Sequence, residues 1–254
     1  MNSIPRLLST LLLAASLSFA QAQQPVAAPK ASKPDASAPI EKPDTNGNFR
    51  KMHDSFLARG KSGPIGLLFI GDSITAGWTK ATDVWKEHYE KYQPANFGIG
   101  GDQTQHVIWR IENGELDGLK PKVVVLMLGT NNTGAHNASE IAAADKKIVQ
   151  LIRAKIPEAK VLVLAVFPRG PRKDKEGTIV DDGMSRMEII RGVNAQLAKL
   201  DDGKNVRFLD INAKFLDASG KIPDSIMPDQ LHPNAAGYKI WAEAMQPTLE
   251  AMMK

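Results

Sequence analysis

The chain has 254 residues, a formal net charge of +4, 43% apolar and 24% charged residues, and no cysteine. These proportions are those of a soluble globular protein with room for a sizeable core in one or two domains. The missing cysteine excludes disulfides, Cys-ligated zinc or iron–sulfur sites, a thiol nucleophile and a lipidated N-terminal Cys, and the charge is too mild to point to nucleic acid.

Met1 to Ala22 reads as a secretory signal: Arg6 supplies the positive end, Leu7 to Ala20 is rich in Leu, Ala and Ser, and Ala20-Gln21-Ala22 is a small-x-small cleavage site. Cleavage is expected after Ala22. No later run reaches the roughly 18 apolar residues that span a bilayer, so no stable membrane insertion is expected. Gln23 to Thr45 reads as a Pro/Ala-rich linker. Pro25, Pro29, Pro34, Pro39 and Pro43 alternate with small and charged residues, and few large apolar groups are present to offset the entropy of ordering. A semi-extended tether is expected there. Residues 46–254 then form one domain.

Within that domain strands and helices alternate. Gly66 to Ile70 is a short buried strand, Val84 to Tyr92 a helix, Ala95 to Ile99 a second strand and Thr104 to Glu115 a helix. Val123 to Leu128 is the clearest strand, followed by a helix over Ala138 to Lys155 with Ser139 as a cap. Val161 to Val166, a helix over Met184 to Leu200, Val206 to Leu209 and a closing helix over Asn234 to Met253 complete the pattern. Strands that are apolar throughout imply burial on both faces, hence a parallel sheet covered by helices. Reacting groups then belong on the loops past the strand C-terminal ends.

Four motifs fall on such loops. Gly71-Asp72-Ser73 follows the first strand, where a Ser entering a helix meets backbone N–H groups suited to developing negative charge. Asn96-Phe97-Gly98-Ile99-Gly100-Gly101 follows the second, and its glycines let a backbone N–H approach a ligand. Gly129-Thr130-Asn131-Asn132 follows the third, with an Asn131 amide able to reach an oxyanion. Asp229-Gln230-Leu231-His232-Pro233 precedes the last helix and offers a base with its own carboxylate partner. Taken singly, each has a plain alternative: Ser73 as a helix cap, the glycines as a turn, Asn131 as a cap. Their joint order on successive strand ends is what singles them out.

With these four blocks the chain resembles the GDSL, or SGNH, hydrolases. The stretch Asn96 to Asp102, then His106-Val107, Trp109-Arg110, Asn113 to Leu116, Lys120-Pro121-Lys122 and Pro168-Arg169-Gly170 are similar to one subgroup, the platelet-activating-factor acetylhydrolase catalytic subunits. The resemblance implies a flavodoxin-like three-layer α/β/α sandwich with a five-stranded parallel sheet. It also implies ester hydrolysis through an acyl-enzyme, with no metal or cofactor. It makes Ser73 the nucleophile, His232 the general base and Asp229 its orienter. The oxyanion hole would consist of the Ser73 and Gly101 N–H groups and the Asn131 amide. Because the base must be neutral to act, kcat/KM should rise between about pH 5 and 8.

Two features depart from the subgroup: the export signal, whereas those subunits are cytoplasmic, and a longer charged segment over 168–183 that could overhang the pocket. An exported enzyme meets polysaccharides, so acetyl esters of carbohydrate are the expected substrate. The rivals are a lipid or lysophospholipid esterase, and a non-catalytic carbohydrate-binding module on the same fold. His53, His88, His106 and His136 lack zinc-type spacing and read as structural or surface residues. Asp72 reads as a buttress of the nucleophile turn. Trp78, Trp85 and Trp109 read as packing residues. The acceptor triplets at Asn131 and Asn137 are treated as chance matches.

Overall fold

The computed structural model describes Met1 and residues 33–254. The expected signal and the linker as far as residue 32 lie outside the described part. In chain order the strands are β1 (Leu67–Gly71), β2 (Pro94–Gly98), β3 (Val123–Met127), β4 (Lys160–Leu164), β5 (Arg172–Lys173), β6 (Ile179–Asp181) and β7 (Val206–Leu209). All but β5 and β6 pair in parallel, in the spatial order β2-β1-β3-β4-β7. This is the flavodoxin-type order, in which a ligand crevice opens where the chain reverses direction across the sheet, beside β1. The expected five-stranded parallel α/β sandwich is the fold observed.

The helices are α1 (Asn48–Lys61), α2 (Ser73–Ala76), α3 (Thr82–Tyr89), α4 (Thr104–Glu112), α5 (Ala138–Lys155), α6 (Met184–Leu197) and α7 (Ala235–Met253). Successive strand side chains point to opposite faces, so each strand feeds two cores. Leu68, Ile70, Val124, Leu126, Val161 and Val163 pack under α1, α4, α5 and α6. Leu67, Phe69, Val123, Val125, Leu162 and Leu164 pack under α3 and α7, around Trp78, Tyr238 and Trp241. Trp78 is therefore core, and Trp85 and Trp109 are half-buried against the two clusters.

Several expectations are corrected. The segment 33–45 is not a free tether. Ala36 is buried, its carbonyl accepts from Thr104 Oγ1 at 2.8 Å, and the Ser37 carbonyl accepts from Lys147 Nζ at 3.0 Å. His136 Nε2 lies 2.8 Å from the Pro34 carbonyl, and Ile40 N–H donates to the Gln105 carbonyl at 3.2 Å. Main-chain bonds rather than apolar bulk dock this segment, so composition does not reveal it. Helix α1 was not expected; it buries Phe49, His53 and Phe56, a stripe at helical spacing that includes one polar residue. Helix α5 is capped by Asn137, whose Oδ1 accepts from Glu140 N–H at 3.0 Å, rather than by Ser139. The helix expected to run to Glu115 ends at Glu112, where Gly114 turns to φ +94°. The charged segment 168–183 contains the antiparallel hairpin β5–β6.

Candidate active site

The chain leaves β1 through Gly71, where a side chain would collide with the Met127 carbonyl at 2.4 Å, so only glycine fits beside β3. Asp72 follows, fully buried, with Oδ1 accepting the Ile74 N–H at 2.9 Å. That bond caps α2 and places Ser73 at its first residue. Asp72 is thus the buttress expected. Burial pushes its carboxyl up to about 7; the Ile74 N–H works against this and the Asp102 charge adds to it.

Ser73 Oγ lies 2.9 Å from His232 Nε2, across 159 residues of sequence. His232 Nδ1 lies 2.6 Å from Asp229 Oδ2. Asp229 Oδ1 also accepts the backbone N–H groups of His232 at 2.7 Å and Leu231 at 3.2 Å, so this one turn fixes both carboxylate oxygens. Burial alone would raise the Asp229 carboxyl. The His232 ring and the two backbone donors outweigh it and hold the carboxyl well below its usual range. A ring whose Nδ1–H faces a carboxylate presents a bare Nε2 to the hydroxyl, the arrangement needed to take a proton from serine. Gln230, between the two residues, adopts φ 59°. Its carbonyl accepts the Gly170 N–H at 2.8 Å, which ties this loop to the base of the β5–β6 hairpin.

The second and third loops meet beside Ser73. Ile99 N–H donates to the Gly71 carbonyl at 3.2 Å, and Gly101 adopts φ +73°. Among the described residues no protein acceptor takes the Gly101 N–H. Asn131 Nδ2 donates to the Asp102 carbonyl at 2.8 Å and approaches Asp72 Oδ2 at 3.4 Å, while Gln103 Nε2 donates to the Asn131 carbonyl at 2.9 Å. Asn132 Oδ1 accepts the Thr104 N–H at 3.0 Å. The loops bearing Gly101 and Asn131 are therefore bonded to each other directly. The structure brings all five sequence-expected residues, Ser73, Gly101, Asn131, Asp229 and His232, to the C-terminal edge of the sheet.

Beneath the Gly101 turn sits a buried ion group that the sequence did not disclose. Arg110 Nε lies 3.1 Å from Asp102 Oδ2, and Arg110 Nη1 pairs with Glu115 Oε2; all three side chains are fully buried. His53 Nδ1 is 3.6 Å from Glu115. Burial pushes the Asp102 carboxyl up to about 6, against the pull of Arg110 and Lys42. The residues were visible, at positions 102, 110 and 115, but only a helix running over the turn brings them together. A second unforeseen contact is Arg172 Nη2, 3.8 Å from Asp229 Oδ2.

The remaining histidines hold structure. His106 Nδ1 accepts the Gln103 N–H at 3.0 Å in a capping box, and burial pushes this ring down to about 4. His88 Nδ1 lies 3.3 Å from Gln246 Oε1. Among the described residues no three His, Asp or Glu side chains are grouped to hold a metal ion, and no helix is long and apolar enough to cross a membrane. A cavity of about 380 Å³ lined by Phe56, Arg59, Trp78, Trp85 and Phe97 touches none of the five site residues.

Residues 69–240 match the GDSL-like lipase/acylhydrolase family. The chain belongs to that family and is an ester hydrolase. It is 36% identical over 212 residues to the platelet-activating factor acetylhydrolase IB subunit alpha1 of Bos taurus, covering 82% of this chain and 84% of that one. A GDSL-like lipase from Bacteroides thetaiotaomicron superposes with a TM-score of 0.61 at 19% identity, over 81% of this chain and 98% of that one. A carbohydrate acetylesterase family member from Sinorhizobium meliloti gives 0.57 at 15% identity, over 74% and 99%. At such identities these two likenesses speak for the fold.

Proposed function

We propose that this chain is an exported serine esterase that removes short acyl groups, acetyl foremost, from carbohydrate. Ser73 Oγ attacks the ester carbonyl while His232 Nε2 takes its proton, and Asp229 holds the resulting imidazolium. The oxyanion is received by the Ser73 and Gly101 N–H groups and by the Asn131 amide, whose long 3.4 Å contact with Asp72 Oδ2 gives way while the bond to the Asp102 carbonyl holds. Collapse expels the sugar alkoxide, which takes the proton from His232 and leaves an acetyl-Ser73 ester. Water, deprotonated by His232, then attacks that ester, releasing acetate and restoring the hydroxyl. The observation that carries this reading is the 2.9 Å and 2.6 Å chain from Ser73 through His232 to Asp229. Export is supported by the residue pattern of the first 22 positions. The carbohydrate substrate is supported by export, because an exported enzyme meets polysaccharides.

A lipid or lysophospholipid ester is the second reading, and one observation favours it. Ile179, Val180 and Met184, on and just after the hairpin whose base meets the Asp229 loop, are 57%, 65% and 75% exposed. Rates on acetylated sugars, xylan and pectin, compared with p-nitrophenyl esters of increasing chain length, decide between them. Preference for acetylated sugars with a steep loss beyond short acyl chains is expected. Rates that climb with chain length would favour the lipid ester. No turnover of any ester by folded protein would leave the non-catalytic binding module.

A further inference from the structure

Lys42 sits on the docked segment before α1, far in sequence from every motif. Its Nζ donates to the Gly100 carbonyl and lies 3.5 Å from Asp102 Oδ1. That carboxylate oxygen is buried and has no hydrogen-bond partner among the described residues, so the Lys42 ion pair is what faces it. The ammonium is also 3.2 Å from the point where a Gly101 side chain would begin. A trans peptide is planar, with its C=O and N–H directed opposite ways, and the described chain has no cis peptide bond. The unit gripped at the Gly100 oxygen is the one whose other end is the Gly101 N–H. A cation on the oxygen fixes the plane of that unit and polarises it, making the N–H a stronger donor.

We propose that Lys42 is a positioning residue of the oxyanion hole: by binding the Gly100 carbonyl and the Asp102 carboxylate, it aims and strengthens the Gly101 N–H. The proposal rests on the esterase reading of Ser73 and Gly101 given above. Lys42 acts through the peptide and touches neither substrate nor nucleophile. Its benefit grows as negative charge develops, so it belongs to kcat rather than to substrate affinity. The segment 33–45 thereby becomes part of the active enzyme, held by the bonds of Pro34, Ala36, Ser37 and Ile40 to the domain.

The test uses the full chain with p-nitrophenyl acetate, and a trifluoromethyl ketone as a mimic of the oxyanion. Lys42→Met should lower kcat by about 10- to 100-fold, less than the loss of a whole oxyanion donor. KM should stay within about twofold, and the ketone Ki should rise in step with the fall in kcat. Lys42→Arg, which keeps a charged donor, should recover most of the loss. Lys33→Met, which breaks only the exposed Lys33–Glu140 pair on the same segment, should match wild type. If Lys42→Met does not fold, Lys42→Gln replaces it and should lose about tenfold in kcat. Wild-type kcat and ketone Ki in a folded Lys42→Met or Lys42→Gln, a loss confined to KM, or an Arg variant as impaired as Met would overturn the proposal. Ser73→Ala separates the two levels: if it retains turnover the esterase reading fails, whereas an inactive Ser73→Ala beside a wild-type-like Lys42→Met sinks only this inference.

Discussion

Replacing Arg110 with Met should destabilise the domain more than any change at its surface. The guanidinium has no exposed side-chain area and pairs with two carboxylates, Asp102 and Glu115, that have none either. Methionine fills much of the volume, so what changes is charge, leaving two buried acids without their cation. Breaking a buried pair by removing one partner costs about 3–5 kcal/mol. For a domain of this size each kcal/mol moves Tm by roughly 2–4 °C, so Tm should fall by about 6–20 °C. The loss should also depend on pH. Asp102 already titrates at about 6, above its ordinary 3.8, because burial outweighs the attraction of Arg110 and Lys42. A carboxyl raised on folding costs nothing when it is protonated and costs most when it is charged, so its penalty grows as pH rises through that interval. Without Arg110 the carboxyl rises further, and protonation relieves it. The deficit of Arg110→Met, measured by thermal and urea unfolding followed by circular dichroism, should be smaller at pH 5 than at pH 7. A variant within about 1 kcal/mol of wild type, or a deficit larger at pH 5, would refute the argument.

Asn131→Ala should lower kcat by about 10²–10³-fold while the loss of its 2.8 Å bond to the Asp102 carbonyl costs only about 1 kcal/mol of stability; unchanged turnover in the folded variant removes Asn131 from the oxyanion hole. Asp72→Asn should gain stability relative to wild type as pH rises from 5 to 8. The wild-type carboxyl at about 7 is destabilising once ionised, so equal pH slopes in urea melts would show that it is not charged at a cost. Deleting residues 172–177 removes strand β5 with its pairing to β6 and the exposed Arg172–Asp229 contact, itself worth about 0–1 kcal/mol, and leaves the five-stranded sheet intact. Tm should therefore move by a few degrees at most, while the ratio of rates on sugar acetates and p-nitrophenyl acetate shifts severalfold. Wholesale unfolding would show the hairpin to be structural.

The parts of the fold that were legible are those specified by apolar runs. Val123 to Met127 is apolar at every position and is buried at every position, and no other element suits such a run between turns. The ends of α5 were legible too, because its apolar spacing stops where the chain must return to the sheet. Helix α1 was missed because it buries only Phe49, His53 and Phe56 in 14 residues, too sparse a stripe to stand out from its charges. The β5–β6 hairpin was missed because its strands have two and three residues and face solvent. The docking of residues 33–45 depends on main-chain groups, one buried alanine and the lysines at 33 and 42, and lysines in a Pro-rich stretch read as solvated charge.

The site divides the same way. Ser73, Gly101, Asn131, Asp229 and His232 were legible because their motifs follow strand ends in order, although each taken singly also suits an ordinary turn or cap. Lys42, Arg110 and Glu115 were not, because their pairing with the Gly100–Asp102 turn depends on how α4 and the docked segment cross it. No spacing rule connects positions 42, 102 and 110.

The central claim is that Ser73 is a nucleophile activated by His232. Treating the full chain with a fluorophosphonate and mapping the adduct by mass spectrometry tests it directly. One adduct is expected, on Ser73, formed in step with loss of p-nitrophenyl acetate turnover and slowed at least about 10²-fold in His232→Ala. Folded protein that hydrolyses the ester but carries no label at Ser73, or that labels Ser73 equally fast without His232, would contradict it.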